Sequence, residues 1–138
     1  MPKHILVVDD DRAFCQLLAA VLASQGYQVD WASHALEAFK LAQRNYYDLF
    51  IIDVRMPFIL GTKLAEGLKE QFLAARIILI SAFADDSLKE RAQQLGVPLL
   101  GKPFTNETIL ALVANTAKGL SPLGKNAQNG LGGFDNLG

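Results

Sequence analysis

Hydrophobic positions in this chain fall into two kinds of segment that alternate along it. Ile5-Leu6-Val7-Val8, Leu49-Phe50-Ile51-Ile52, Ile77-Ile78-Leu79-Ile80 and Leu99-Leu100 are short runs with no polar break. Such uniform apolar character predicts strands covered on both faces. Gln28-Val29-Asp30-Trp31-Ala32 instead alternates polar and apolar, which predicts an edge strand with Trp31 packed over it. Between these segments the period becomes helical. Phe14, Leu17, Leu18, Val21 and Leu22 share one helical face, and Gly26 can end that helix. Leu36, Phe39, Lys40 and Gln43 mark a second helix, with Ser33 as its predicted N-cap. Leu64, Leu68 and Phe72 mark a third, and Leu88, Ala92 and Leu95 a fourth that Gly96 closes. Thr105 caps a fifth, which carries Ile109, Leu112, Val113 and Thr116.

The order is strand then helix, five times. Strand ends at Asp9, Ala32, Asp53, Ser81 and Lys102 lie 21 to 28 residues apart. This predicts an α/β fold with one parallel sheet and right-handed crossovers. Five such units wind as a flavodoxin-like, doubly wound sheet in the order 2-1-3-4-5 with five helices. The first and third strands are then neighbours.

Composition adds bounds. The 138 residues suit one domain, with 51% hydrophobic and 20% charged residues. A net charge of −1 gives no basic surplus for nucleic acid, so direct nucleic-acid binding by this segment is not expected. No apolar stretch approaches the roughly 20 residues that cross a bilayer. Met1-Pro2-Lys3-His4 lacks the pattern of a signal peptide, and a cytoplasmic location is expected. The lone cysteine, Cys15, is expected to fill core space, and His4 and His34 to sit at the surface. Residues 119–138 hold six of the 11 glycines and read as a flexible Gly/Asn-rich tail or truncated linker after a folded unit of residues 1–118.

The candidate chemistry lies at the strand ends. In an open parallel sheet the carboxyl ends line one crevice, so Asp9, Asp10, Asp53, Ser81 and Lys102 are expected to meet there. Clustered carboxylates repel and raise one another's pKa, and a divalent cation offsets this. An all-oxygen set suits Mg²⁺. Phosphoryl transfer needs such positioned charge, with the cation, Lys102 and the Ser81 hydroxyl each taking one phosphoryl oxygen. Asp53, the one acid on a central strand, is the best candidate for an attacking carboxylate. Asp53-Val54-Arg55-Met56-Pro57 continues to Gly61, so Pro57 stiffens the turn and Gly61 is expected to take a backbone angle closed to other residues. The turn can aim the Arg55 carbonyl at the cation. Were the Lys102-Pro103 bond cis, it would turn Lys102 back into the crevice.

Ile5-Leu6-Val7-Val8-Asp9-Asp10-Asp11, Asp53-Val54-Arg55-Met56-Pro57 with Gly61, Ile80-Ser81-Ala82 and Lys102-Pro103-Phe104 together resemble the receiver domain of two-component response regulators, over about residues 4–118. The resemblance implies that Asp53 is the phospho-acceptor, that Asp10 binds Mg²⁺ directly with the Arg55 carbonyl, and that Asp9 helps through water. It implies Ser81 and Lys102 on the phosphoryl oxygens. The implied donor is a phosphohistidine on a sensor histidine kinase or histidine phosphotransfer protein, docking at positions that include Phe14 and Pro103, or a small acyl phosphate. Such a domain catalyses its own phosphorylation and slow dephosphorylation, works as a monomer or weak dimer, and signals to a downstream protein. Leu99 stands where the family commonly has Tyr or Phe, so the switch that pairs this position with Ser81 lacks its usual ring. Phe83 and Arg55 lie two residues past Ser81 and Asp53, flanking the route by which water reaches an acyl phosphate. Two other readings fit part of the pattern. One is a degenerate receiver that only binds partners. The other is a haloacid-dehalogenase-type phosphatase with Asp9 as nucleophile.

Overall fold

A computed structural model describes residues 3–118, and the tail expected at 119–138 lies outside the described residues. The five apolar segments are strands β1 (His4–Val8), β2 (Gln28–Ala32), β3 (Leu49–Asp53), β4 (Ile77–Ser81) and β5 (Leu99–Gly101). Helices α1 (Arg12–Ala23), α2 (Ala35–Arg44), α3 (Gly61–Gln71), α4 (Asp86–Leu95) and α5 (Asn106–Lys118) alternate with them. All the strand pairs are parallel, in the order β2-β1-β3-β4-β5.

Because successive side chains of a strand point to opposite faces, each central strand feeds two cores. Leu6, Val8, Phe50, Ile52, Ile77 and Leu79 pack with Ala38, Ala42, Leu64, Leu68 and Ala92 from α2, α3 and α4. Ile5, Val7, Leu49, Ile51, Ile78 and Ile80 pack with Cys15, Leu18, Leu22, Ile109 and Val113 from α1 and α5. Every residue of β3 and β4 is buried. β2 is the half-covered edge that its alternation predicts. β5 is the other edge, so Leu99 and Leu100 are only partly buried, unlike the other unbroken runs.

Local chemistry sets the helix ends. The Asp11 side chain accepts from the Phe14 N–H (3.1 Å), and Thr105 Oγ1 accepts from the Thr108 N–H (3.1 Å). The second helix starts one residue later than expected. His34 rather than Ser33 is its N-cap, with Nδ1 accepting from the Glu37 N–H, while the Ser33 N–H donates back to Glu37. Gly96 closes α4 in the left-handed region at φ 71°. His4 is half-buried rather than free on the surface. Its ring packs 4.4 Å from that of Tyr47, and Nε2 lies 2.9 Å from Asp30, which also accepts from the Tyr47 hydroxyl (2.7 Å). The β1–β2 register brings these groups together, because His4 and Asp30 sit on adjacent strands.

The turn after β3 differs from expectation in an informative way. Gly61 does not take a positive φ; that angle belongs to Phe58, at φ 72°. Gly61 is required for space. A Cβ there would run into the Asp53 carbonyl and come within 2.8 Å of Val54 Cα, while the Gly61 N–H donates to the Val54 carbonyl (2.8 Å). The start of α3 is thus pressed onto the backbone that carries Asp53.

Gly61→Ala is expected to destabilise the chain by about 1–3 kcal/mol, because the obstacle is backbone that cannot step aside. Urea unfolding checks this against Gly67→Ala, where the nearest atom is the end of the Phe39 ring and a helix-interior Ala offsets part of the clash, so the loss is smaller.

Candidate functional site

The carboxyl ends of β1, β3, β4 and β5 bring together the side chains singled out in the sequence. Asp9 follows β1 and is 1% exposed, and Asp53 ends β3 and is 5% exposed. Asp10 is exposed beside them. Oxygens from these three carboxylates lie within 4.8 Å of one another, close enough to share one metal ion. A cavity of about 300 Å³ lined by Tyr46, Tyr47, Phe50 and Phe72 opens where the strands begin, away from this chemistry.

Among the described residues, one cation is paired with the acids. Lys102 Nζ donates to Asp9 Oδ2 at 2.8 Å and stands 3.5 Å from Asp53 Oδ1. The Lys102 N–H is bonded to the Ser81 carbonyl (2.8 Å), which fixes the root of the side chain on β4. The Lys102-Pro103 bond is cis. The ammonium also lies 4.2 Å from the centroid of the Phe14 ring. Asp9 is held on both oxygens, since its Oδ1 accepts from the Asp11 N–H (2.9 Å). Asp53 has a single long contact, to Lys102, and its other oxygen holds no hydrogen bond among the described residues.

The electrostatics follow from this unequal sharing. Burial, then the negative charge of Asp9, push the Asp53 carboxyl up to about 6, and Lys102 offsets only part of the shift. Burial works against the Lys102 charge, but hydrogen bonding and attraction from Asp9 outweigh it and hold the ammonium above the usual lysine value. Three carboxylates facing one ammonium leave about two negative charges uncompensated, a deficit of the size a divalent cation fills.

The remaining residues border this centre. Ser81 is 1% exposed, and its hydroxyl accepts from the Phe83 N–H (3.0 Å), leaving its own proton to donate. Pro57 and Pro103 are exposed on the rim, and Leu99 packs partly buried against the core on the α2–α4 side. The Arg55 guanidinium lies 5.6 Å from the centroid of the Phe83 ring, which is 63% exposed. Burial and the Asp9 charge push the Cys15 thiol up to about 12, in keeping with a packing role. Two features escaped the sequence reading. Phe14 faces the crevice lysine, and Phe58 stands fully exposed in the left-handed region. The sequence placed Phe14 on a helix face near the crevice, as a docking residue, without its contact to Lys102, and nothing in the sequence marked a positive φ at a phenylalanine.

Residues 5–114 match the family model described as response regulator receiver domain. The chain is 35% identical over 125 residues to response regulator MprA of Mycobacterium sp. (strain KMS), covering 88% of this chain and 54% of that protein. It is 34% identical over 114 residues to the alkaline phosphatase synthesis transcriptional regulatory protein PhoP of Bacillus subtilis (strain 168), covering 82% and 48%. The chain thus spans about half the length of these relatives. The solved structure of response regulator TrrA from Thermotoga maritima in complex with Mg²⁺-BeF superposes with a TM-score of 0.76 at 31% identity, over 83% of this chain and 98% of that one.

The raised Asp53 pKa has a sign that can be checked. Below its ordinary value of 3.8 the carboxyl is protonated in folded and unfolded chains alike, and between there and about 6 only the folded chain keeps the proton. Stability therefore falls as pH rises through this window. Asp53→Asn is expected to be more stable than wild type by roughly 1–3 kcal/mol at about pH 7.5 in metal-free buffer, with the gap closing below about pH 4. Chemical denaturation of both proteins across pH measures the difference.

Proposed function

The chain belongs to the response regulator receiver domain family, and on that premise we propose that Asp53 accepts a phosphoryl group and that the resulting aspartyl phosphate changes the contacts this domain makes with other proteins. One observation carries the reading: the Lys102 ammonium lies 2.8 Å from Asp9 and 3.5 Å from Asp53, beside three carboxylates that converge within 4.8 Å.

The acid cluster fits Mg²⁺, through its all-oxygen donors and its uncompensated charge. Asp10, Asp53 and the Arg55 carbonyl would hold the ion, with Asp9 acting through water, and the ion supplies charge neutralisation to the phosphoryl oxygens. The printed description of the TrrA complex, with Mg²⁺ and BeF, supports this choice. The chain's own residues do the rest. The unengaged oxygen of Asp53 attacks phosphorus as the bond from phosphorus to the donor's imidazole nitrogen or acyl oxygen breaks, and the leaving group keeps that electron pair. Lys102 binds one phosphoryl oxygen and the Ser81 hydroxyl donates to another, so charge is met by positioned groups. The donor is a phosphohistidine of a sensor histidine kinase or phosphotransfer protein, docking over Phe14 and Pro103, or a small acyl phosphate. With Leu99 in place of an aromatic residue, the signal leaves the site through Ser81 and the β4–α4 loop without a swinging ring.

The site geometry disfavours the phosphatase reading. Asp9 is tied down on both oxygens and buried, while Asp53 keeps an oxygen free. A receiver that only binds partners has no use for the unfavourable burial of Asp53. No helix among the described residues is long and apolar enough to cross a membrane.

Treatment with a small acyl phosphate and Mg²⁺ is expected to add one phosphoryl group, seen by intact mass and mapped by peptide analysis to Asp53. Asp53→Asn abolishes it, and Asp9→Asn slows it without moving the label. Label on Asp9, or sustained turnover of a phosphate ester, would restore the phosphatase reading, and an unlabelled wild type would leave the binding module. The stacked Arg55 and Phe83 side chains cover the approach of water. Removing either, as Arg55→Ala or Phe83→Ala, is expected to shorten the phosphoprotein half-life about two- to fivefold, the scale of an exposed cation–π contact. An unchanged half-life in both variants refutes the shielding role.

A further inference from the structure

We propose that Phe14 is a positioning residue for phosphoryl transfer, acting through the Lys102 ammonium rather than only as part of a docking surface. The inference rests on the reading of Asp53 as phospho-acceptor. Lys102 Nζ has three neighbours: Asp9 at 2.8 Å, Asp53 at 3.5 Å and the Phe14 ring, 4.2 Å from Nζ to its centroid. A cation within about 6 Å of a ring face is attracted by its electron-rich centre, more so where water is thinned. Here the Lys102 side chain is only 21% exposed.

The ring itself is held. Phe104, two residues beyond Lys102, meets it edge-on, with centroids 6.1 Å apart and planes at 78°. Phe14 is also packed against the core shared by α1 and α5. Lys102 and Phe104 therefore both contact one ring from the same loop, so α1 and the end of β5 are tied at the point where the ammonium must be placed. The chemistry of the ring matters as much as its position. A lysine ammonium has three N–H donors and a flexible stem. Asp9 draws one donor toward β1. The Phe14 face holds the charge near Asp53 without adding an anionic oxygen that would compete with the incoming phosphoryl group. A leucine would fill the space but offer no face.

The test uses a small acyl phosphate with Mg²⁺, so that no protein partner docks on Phe14. Phe14→Leu is expected to lower the phosphorylation rate constant at saturating donor about three- to thirtyfold with little change in donor KM, and Phe14→Tyr to restore it. In a Lys102→Ala background Phe14→Leu should have no further effect, since the ring acts through the ammonium. NMR gives a readout independent of chemistry. The Lys102 Cε protons should resonate upfield in wild type and Phe14→Tyr through the ring current, and normally in Phe14→Leu. A wild-type rate in Phe14→Leu, an equal loss in the Lys102→Ala background, or a Lys102 resonance indifferent to Phe14→Leu overturns the proposal. If wild type itself gains no phosphoryl group on Asp53, the phospho-acceptor reading is what has failed, and the resonance still decides whether ring and ammonium meet.

Discussion

Mutual repulsion among acids at one edge of a sheet is the constraint around which this molecule is organised. Asp9 and Asp53 are almost wholly buried, and Asp10 stands next to them. Burying a carboxylate is unfavourable, and burying two within reach of each other is worse. A single ammonium, anchored through the backbone of β4, relieves part of that stress and does so unequally, holding Asp9 closer than Asp53. The imbalance leaves Asp53 the acid with an unengaged oxygen and a raised pKa. An acid in that condition has much to gain from a cation or from a phosphoryl group whose charge other residues meet.

The fold supplies the rigidity this arrangement needs. β1 and β3 are adjacent and buried on both faces, so the two principal acids extend from the best-covered part of the sheet. α3 is pressed against the Asp53 backbone at Gly61, and α1 is capped by Asp11, whose N–H in turn orients Asp9. Each contact that starts a helix also steadies a side chain of the crevice. Groups at the rim, by contrast, are exposed, among them Arg55, Pro57, Phe58 and Phe83.

Much of this was legible in the sequence, because its strongest signals were physical ones. Three of the four unbroken apolar runs are doubly covered strands and the fourth, Leu99-Leu100, lies at an edge, and their spacing left room for a helix each, in keeping with the order of the sheet. Strand-end position then brought Asp9, Asp53, Ser81 and Lys102 to one crevice. What escaped depended on contacts between elements. The pairing of His4 with Asp30 and Tyr47 follows from strand register, which no local pattern encodes. The purpose of Gly61 was visible as a glycine but not as a close backbone approach, and the positive φ fell instead to Phe58. The ring of Phe14 matched its helical period, while its partner lay 88 positions away in the chain.

Cys15 sits at the other side of the same acid. Its sulfur donates to the Asp9 carbonyl at 3.2 Å, and burial, then the charge of Asp9, push its thiol up, which disfavours the thiolate. Peroxide and alkylating reagents act on accessible thiolate, and Cys15, the one cysteine of the sequence, is fully buried. The acids and the lysine of the crevice thus rest on a buried sulfur that serves as packing, and nothing in their arrangement calls on it as a nucleophile.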